Sequence, residues 1–233
     1  MSEIKCSVES LTAFNDSVYH VVLRPEQAFE YQAGQYLMVK MSDDDKRPFS
    51  IASAPSDGDL IELHIGASER HSYPMQVIEK MEQQQEITIL APHGDAQLVH
   101  DNQRPIILVA GGTGFSYIRS ILRQLVATND PRQVTIYWGC KDLHHFYLLE
   151  EAQQIADAND NVELVPVVEN TSSDWQGVTG LVHHAILDRF NDLSNHEIYA
   201  AGRFEMVGAI RDAFLGQGMK IEHMHGDALA YLK

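Results

Sequence analysis

One stretch, residues 105–116, constrains the fold of this 233-residue chain more than any other. It begins with an apolar run at residues 106–110, whose β-branched content predicts a strand buried on both faces. Glycines follow at once, and the periodic apolar run at 117–126 then predicts a helix. This order places backbone N–H groups and a helix N-terminus against a phosphate. The stretch therefore predicts a nucleotide-binding loop, with a tight structural turn as the alternative.

The glycine loop matches the dinucleotide fingerprint only in part. Gly112 and Gly114 fit its first two glycines, but Tyr117 stands where the third is expected. No acidic residue closes the following predicted strand, residues 134–139, to hold a ribose hydroxyl. The loop by itself therefore leaves the nucleotide undecided.

The rest of the chain divides into two patterns. From residue 105 onwards, strands and helices alternate, which is typical of a doubly wound parallel α/β sheet. The predicted strands are 106–110, 134–139, 162–168, 197–201 and 219–223, and the predicted helices are 117–127, 144–158, 181–190 and 204–215. Ligands of such sheets bind beyond the carboxyl ends of the strands, so segments 111–116, 139–141 and 201–206 are expected at one edge.

The first part of the chain reads as antiparallel β structure. Short β-rich runs separated by turn residues predict a small barrel or sandwich, with strands at 4–8, 18–23, 36–41, 49–53, 60–65 and 86–90. One helix is expected at 72–81, where Ser72 can act as the N-cap. Residues 99–105 form a polar connector, so we expect one domain over 1–98 and a second over 105–233.

Charge and composition exclude several classes of function. A formal net charge of −16 argues against nucleic-acid binding, which selects a basic patch. No apolar run approaches the roughly 20 residues of a membrane span, and residues 1–6 lack the pattern of a signal peptide. Cys6 and Cys140 are too few for a disulfide framework. We therefore expect a cytoplasmic protein that binds neither nucleic acid nor membranes.

The 12 histidines raise the question of a metal site. The adjacent pairs 144–145 and 183–184 are expected to point in different directions from a helix and to make poor joint ligands. His223 and His225 share a strand face, but no carboxylate or cysteine accompanies them at a standard ligand spacing. We expect no protein-bound metal.

Three motifs carry a family resemblance. Residues 47–50, Arg-Pro-Phe-Ser, resemble the Arg-x-aromatic-Ser flavin signature of the ferredoxin–NADP reductase superfamily. Residues 111–114 and 201–206 are similar to its pyridine-nucleotide loop and its C-terminal Cys-Gly-Pro-x-x-Met segment, in the same order. With residues 33–39 and 226–228, the chain is most similar to the bacterial NAD(P)H–flavin oxidoreductases of that superfamily.

The resemblance implies a flavin-binding barrel domain followed by an NAD(P)H-binding domain, and it implies roles for named residues. Ser50 is implied as the catalytic residue, because a hydroxyl beside flavin N5 can donate a hydrogen bond as electron density arrives there. The implied flavin-binding residues are Arg47, Pro48, Phe49, Ser50, His64, Ile65 and Gly66. Those implied for NAD(P)H are Gly111, Gly112, Thr113, Gly114, Phe115, Lys141, Gly202, Arg203 and Phe204.

One departure from the superfamily pattern bears on how the flavin is held. Members that retain FAD carry a Gly-x-x-Ser/Thr turn for the diphosphate, whereas residues 66–72 lack it and Glu69 would oppose a phosphate. We therefore expect riboflavin, FMN or FAD to be an exchangeable substrate. The reduced flavin would pass to a monooxygenase, a luciferase or ferric iron. An FAD-retaining reductase with a protein partner, and a non-catalytic flavin or nucleotide sensor, remain alternatives.

The resemblance also bears on the nicotinamide nucleotide. Lys141 occupies the place where many superfamily members carry a basic residue for the 2′-phosphate, but Asp142 follows it. We therefore expect the protein to use both NADH and NADPH.

Overall fold

The computed structural model describes residues 2–67, 72–170 and 175–232, and the chain divides into two compact units. The first unit contains Met1–Leu98 and Arg119–Thr128, and the second contains Val99–Ile118 and Asn129–Lys233. The sequence assigned all of 105–233 to one domain, whereas segment Arg119–Thr128 packs with the first unit. The turn at 68–71, including Glu69, lies outside the described residues.

Six antiparallel strands form the first unit: β1 (Ser2–Ala13), β2 (Val18–Pro25), β3 (Tyr36–Lys40), β4 (Lys46–Ser50), β5 (Ile61–Gly66) and β6 (Glu86–His93). Their order in the sheet is β4-β3-β6-β1-β2-β5. Just beyond β4, the Ala52 N–H donates to the Glu62 carbonyl of β5 at 2.8 Å, so the two ends of this order approach each other as in a barrel. The antiparallel sheet confirms the predicted class of this unit.

Helix α1 (Tyr73–Gln84) interrupts the strands of the first unit, as its apolar spacing predicts. The Ser72 hydroxyl accepts a hydrogen bond from the Met75 N–H at 3.3 Å and acts as the N-cap. Val77, Ile78 and Met81 are buried against a core built from the inward faces of the strands. The helix ends at Gln84, and the next residue, Gln85, is its C-cap in the left-handed conformation.

The second unit contains a six-stranded parallel sheet. Its strands are β7 (Ile106–Gly111), β8 (Val134–Cys140), β9 (Val162–Val168), β10 (Val178–Thr179), β11 (Glu197–Ala201) and β12 (Met224–His225), in the order β10-β9-β8-β7-β11-β12. The helices between them are α2 (Phe115–Ala127), α3 (Leu149–Asp157), α4 (Val182–Leu187) and α5 (Phe204–Leu215). From β7 the chain adds β8, β9 and β10 on one side and then β11 and β12 on the other, so the order reverses between β7 and β11. This order confirms the predicted doubly wound sheet.

Three elements of the second unit differ from the prediction. The prediction of a strand at 219–223 is wrong, because Ile221–His223 form a 3-10 turn and the strand follows it as β12. The helix expected from residue 144 begins at Leu149, because Phe146 leaves the helical conformation (φ −80°, ψ 79°) and is buried with its ring edge on Trp138. The short edge strand β10 has no sequence signal beyond its two β-branched residues. In the described residues, no helix is long and apolar enough to cross a membrane.

Candidate flavin and nucleotide sites

Strand β4 presents the flavin motif on the first unit. Ser50 is its last residue and lies opposite Tyr36 of β3, whose ring stacks on His93. Past Ser50 the backbone is held firmly, since the Ile51 N–H donates to the Gln35 carbonyl at 3.1 Å. The Ser50 side chain is half-buried, and its hydroxyl has no hydrogen-bond partner among the described residues. A hydroxyl with an uncommitted donor, next to a backbone that is held in place, is suited to bind an incoming ligand.

The Arg47 side chain points to the opposite side of the strand and is buried. Its guanidinium forms a bidentate ion pair with Asp45, with Nη2 to Oδ2 at 2.6 Å. It also donates to the Tyr73 carbonyl and to Gln76 Oε1, and it stacks over the Tyr73 ring at 4.0 Å. The hydrogen bond to Asp45 raises the pKa of Arg47 further. Arg47 therefore joins β4 to the first turn of α1, and most of its N–H donors form hydrogen bonds to protein groups.

The other residues of the predicted flavin set lie on the same two strands. Pro48 is exposed, and Phe49 is partly buried and packs against the hydrophobic core of the first unit. Ile65 is completely buried, so only its backbone is available to a ligand, and Gly66 ends β5. The predicted flavin residues other than Arg47 thus form the last three residues of β4 and the last three of β5.

His64 belongs to a buried polar cluster that extends beyond the predicted set. Its register partner is His20 of β2, and the two rings lie 5.8 Å apart. Glu62, two residues earlier on β5, accepts from Arg119 Nη1 at 3.0 Å and pairs with His20 Nε2 at 3.3 Å. Phe14 covers the cluster by stacking on His20 and meeting His64 edge-on.

Burial and charge set the protonation of this cluster. Burial, with the Arg119 and His20 charges, lowers the pKa of His64 to about 3, so this imidazole is neutral at physiological pH. The hydrogen bond from His20 and the Arg119 charge outweigh burial and lower the pKa of Glu62 to about 2. The cluster is therefore a neutral imidazole beside a carboxylate–guanidinium pair.

Two buried side chains in the first half of α2, Arg119 and Ser120, anchor the segment beyond Ser50. Arg119 Nη1 donates to the Ala52 carbonyl at 3.0 Å, and the Ser120 hydroxyl donates to the Ser53 carbonyl at 2.7 Å. Ala52, Ser53 and Ser120 have no solvent exposure. Arg119 and Ser120 are not among the residues predicted from the sequence, because nothing in the helical spacing shows which backbone groups they contact.

The glycine loop of the second unit connects a buried strand directly to a helix. After β7, Gly112–Gly114 form a 3-10 turn that leads directly into α2. Gly112 has φ +53°, a conformation that side chains disfavour. Gly114 lies directly against the Ala201 carbonyl, where any Cβ would collide with backbone. Two glycines are therefore required, one by backbone conformation and one by close packing between the loops after β7 and β11.

Strand register brings the predicted nucleotide segments to one edge of the parallel sheet. Gly111 pairs with Gly139, and Ala110 pairs with both Trp138 and Ala201. The loops after β7, β8 and β11 consequently leave the sheet side by side. Gly202, Arg203 and Phe204 follow β11, and the last two are exposed at the N-terminus of α5, which no side chain of the described residues caps.

The loop after β8 begins with a basic and an acidic residue in succession. β8 extends to Cys140, so Lys141 is the first residue after it and Asp142 the second. Lys141 is exposed and forms no ion pair among the described residues. Asp142 Oδ2 lies 3.6 Å from His145 Nδ1. An acid and a base thus stand together where a ribose or its 2′-phosphate binds in such folds.

The histidine pairs are arranged differently from the prediction. The rings of His144 and His145 lie 4.0 Å apart, and those of His183 and His184 lie 4.3 Å apart, so adjacent histidines do not diverge. The reason is that the side chains rotate about χ1 and χ2, so neighbouring imidazoles meet although their Cα–Cβ bonds diverge, in the 3-10 turn of the first pair and in α4 of the second. In the described residues, two groups of three side chains have their potential metal-ligand atoms within 4.8 Å of one another: His20–Glu62–His64 and Asp142–His144–His145. In the first group, Arg119 already occupies the carboxylate.

Comparison with known proteins agrees with both halves of this description. Residues 4–112 match the FAD-binding domain family, and residues 108–212 match the oxidoreductase NAD-binding domain family. The chain is 47% identical to NAD(P)H-flavin reductase of Vibrio harveyi, over 98% of this chain and 99% of that protein. It is 44% identical to NAD(P)H-flavin reductase of Aliivibrio fischeri, with the same coverage.

Solved structures show the same fold at low identity. The ferredoxin reductase in carbazole 1,9a-dioxygenase has a TM-score of 0.82 at 22% identity, covering 96% of this chain and 68% of that one. The FAD/NAD-binding domain of a nitric oxide dioxygenase from Vibrio cholerae has a TM-score of 0.81 at 20% identity, covering 95% and 96%. The fold is therefore that of two-domain flavin- and nicotinamide-binding reductases. Within that class, the chain belongs to the NAD(P)H-flavin reductase family, as the first motifs predict.

Proposed function

We propose that this chain is an NAD(P)H:flavin oxidoreductase that reduces a free flavin and releases it. The observation that carries the proposal is the 47% identity to a protein named NAD(P)H-flavin reductase over nearly the full length of both chains. In the reaction, NAD(P)H gives a hydride to flavin N5, and a proton from solvent completes the reduced flavin while NAD(P)⁺ leaves. The remaining steps concern what the residues of this chain do.

Ser50 is proposed to donate its hydroxyl proton in a hydrogen bond to flavin N5. Its position at the end of a well-anchored strand, with no partner among the described residues, supports this role. Pro48, Phe49 and the backbone of 64–66 would line the flavin ring. Gly111–Phe115 would present backbone N–H groups to the nucleotide diphosphate, and Arg203 and Phe204 would flank the nucleotide.

The environment of Arg47 supports an exchangeable flavin. A firmly held FAD or FMN needs cationic or backbone donors on its phosphates. Asp45, Tyr73 and Gln76 already bind the guanidinium of Arg47, so little of its donor capacity is left for a phosphate. We therefore propose that riboflavin, FMN and FAD all serve as substrates. The acceptor of the reduced flavin is proposed to be a flavin-dependent monooxygenase, a luciferase or ferric iron.

The location proposed is the cytoplasm. Cys6 and Cys140 are both free and buried, which suits a reducing compartment.

Ser50→Ala tests the catalytic role. We expect kcat to fall about 10- to 1000-fold, because one charge-stabilising donor is lost, while the Kd of riboflavin changes little. The matched control Ser56→Ala alters an exposed serine outside the motif and should keep wild-type kcat. If hydride transfer limits turnover and Ser50→Ala keeps wild-type kcat, the role assigned to Ser50 is wrong.

The colour of the purified protein tests the exchangeable flavin. We expect a nearly colourless protein whose NADH oxidation depends on added riboflavin. A stoichiometric FAD that survives gel filtration would instead favour an FAD-retaining reductase. Flavin binding without NADH oxidation would favour a sensor.

A further inference from the structure

Trp138 is completely buried in β8, yet its side chain reaches the nucleotide loop. Its indole N–H donates to the Gly112 carbonyl at 3.0 Å. Its ring lies flat on Phe115, the first residue of α2, with centroids 3.8 Å apart and planes 6° apart. Phe146 and Tyr147 meet the same ring edge-on at 5.1 and 5.4 Å. Three aromatic side chains thus fix the indole in one orientation.

Two donors hold the Gly112 carbonyl: the Trp138 indole N–H and the Phe115 N–H of the 3-10 turn. The Gly112–Thr113 peptide is trans, so the Thr113 N–H points away from the side on which the Gly112 carbonyl lies. Trp138 is the donor that ties this carbonyl to β8, in addition to the hydrogen bond within the turn. Gly112 has φ +53° and no side chain, so the orientation of this peptide plane depends on these two hydrogen bonds.

Cys140 lies two residues further along the same face of β8. Burial raises the pKa of its thiol to about 12, and a hydrogen bond from the Gly112 N–H opposes that rise. Cys140 is therefore a protonated thiol next to the glycine loop at physiological pH.

We infer that Trp138 is a positioning residue for NAD(P)H: its indole N–H orients the Gly112–Thr113 peptide so that the Thr113 N–H binds the dinucleotide diphosphate. This inference rests on the proposed NAD(P)H-dependent function. Trp138 has no solvent exposure, so it acts through the loop and not by touching the nucleotide.

Two variants at position 138 distinguish the contribution of the indole N–H from that of the aromatic ring. Trp138→Phe keeps an aromatic ring on Phe115 but removes the donor, and benzothienylalanine at 138 keeps the ring size while sulfur replaces the N–H. For both, we expect the Kd of NADH, measured by titration calorimetry, to rise about three- to tenfold, the effect of one lost hydrogen bond. The Kd of riboflavin should stay within about twofold of wild type, because the first unit is unchanged.

Tyr137→Phe is the matched control, because it removes a polar group from a buried neighbour in β8 whose side chain lies on the other face of the sheet. It should leave the Kd of NADH unchanged, even if Tm falls as much as in Trp138→Phe. Unchanged NADH binding in Trp138→Phe, or full affinity with benzothienylalanine, would overturn the inference while leaving the proposed function intact. Failure of the wild-type protein to bind NADH or NADPH would overturn both.

Discussion

The buried imidazole of His64 should make the first unit sensitive to mild acid. Its pKa is lowered from 6.5 to about 3, chiefly because burial disfavours the charged ring. The folded state therefore binds fewer protons than the unfolded chain at any pH between these two values. The stabilisation is complete above the unfolded pKa of 6.5 and is lost progressively as the pH falls towards 3.

The size of the effect follows from the two pKa values. With 1.36 kcal/mol per pH unit, the free energy of unfolding should fall by about 2 kcal/mol between about pH 7.5 and about pH 5. Glu62 does not interfere in this window, because its pKa falls from 4.5 to about 2 and its contribution is lost only in stronger acid. His64→Leu, which binds no proton, should therefore lose about 2 kcal/mol less than wild type over the same range.

Hydrogen exchange of the β5 amides, read by mass spectrometry and corrected for intrinsic rates, measures the opening free energy of this unit. It is preferable to tryptophan fluorescence, because Trp138 and Trp175 both belong to the second unit. His100→Gln, at an exposed histidine, serves as the control and should follow wild type. Parallel pH profiles for wild type and His64→Leu would show that His64 is not kept neutral by burial.

Two further variants test the nucleotide half. Lys141→Ala should lower kcat/KM for NADPH more than for NADH, and added salt should do the same to the wild type. The wild-type preference between the two cofactors is expected to stay within about tenfold. Equal losses for both cofactors in Lys141→Ala, with Lys220→Ala as the control, would refute the role of Lys141. Gly114→Ala should raise the Kd of NADH at least about tenfold, because the new Cβ meets the Ala201 carbonyl. Its control, Gly208→Ala, places a Cβ 3.7 Å from Leu232 methyl groups and should bind NADH as wild type does; wild-type binding by Gly114→Ala as well would show that the loop tolerates displacement.

The two sheets could be predicted because their signals are local. Alternation over β2 and β5, and the apolar run of β7, follow from which faces of a strand are buried. The C-terminal strand was misplaced because neither 219–223 nor 224–225 carries a strong strand signal, and only the tertiary pairing of Met224 with Ile198 decides between them. Local propensity selects an element type, whereas its final register depends on partners far along the chain.

The same distinction explains what could be predicted of the site. Ser50 and the glycine loop are continuous motifs, so their sequence alone indicates their place. Arg119, Glu62 and His20 lie 42 to 99 positions apart and form a group only because β2 pairs with β5 and α2 returns to the segment after β4. Trp138 is harder still, since a tryptophan in a buried strand normally indicates core packing, and only its N–H reveals a second role. Residues that bind a ligand can therefore be found in motifs, but residues that orient the motif have to be found in the structure.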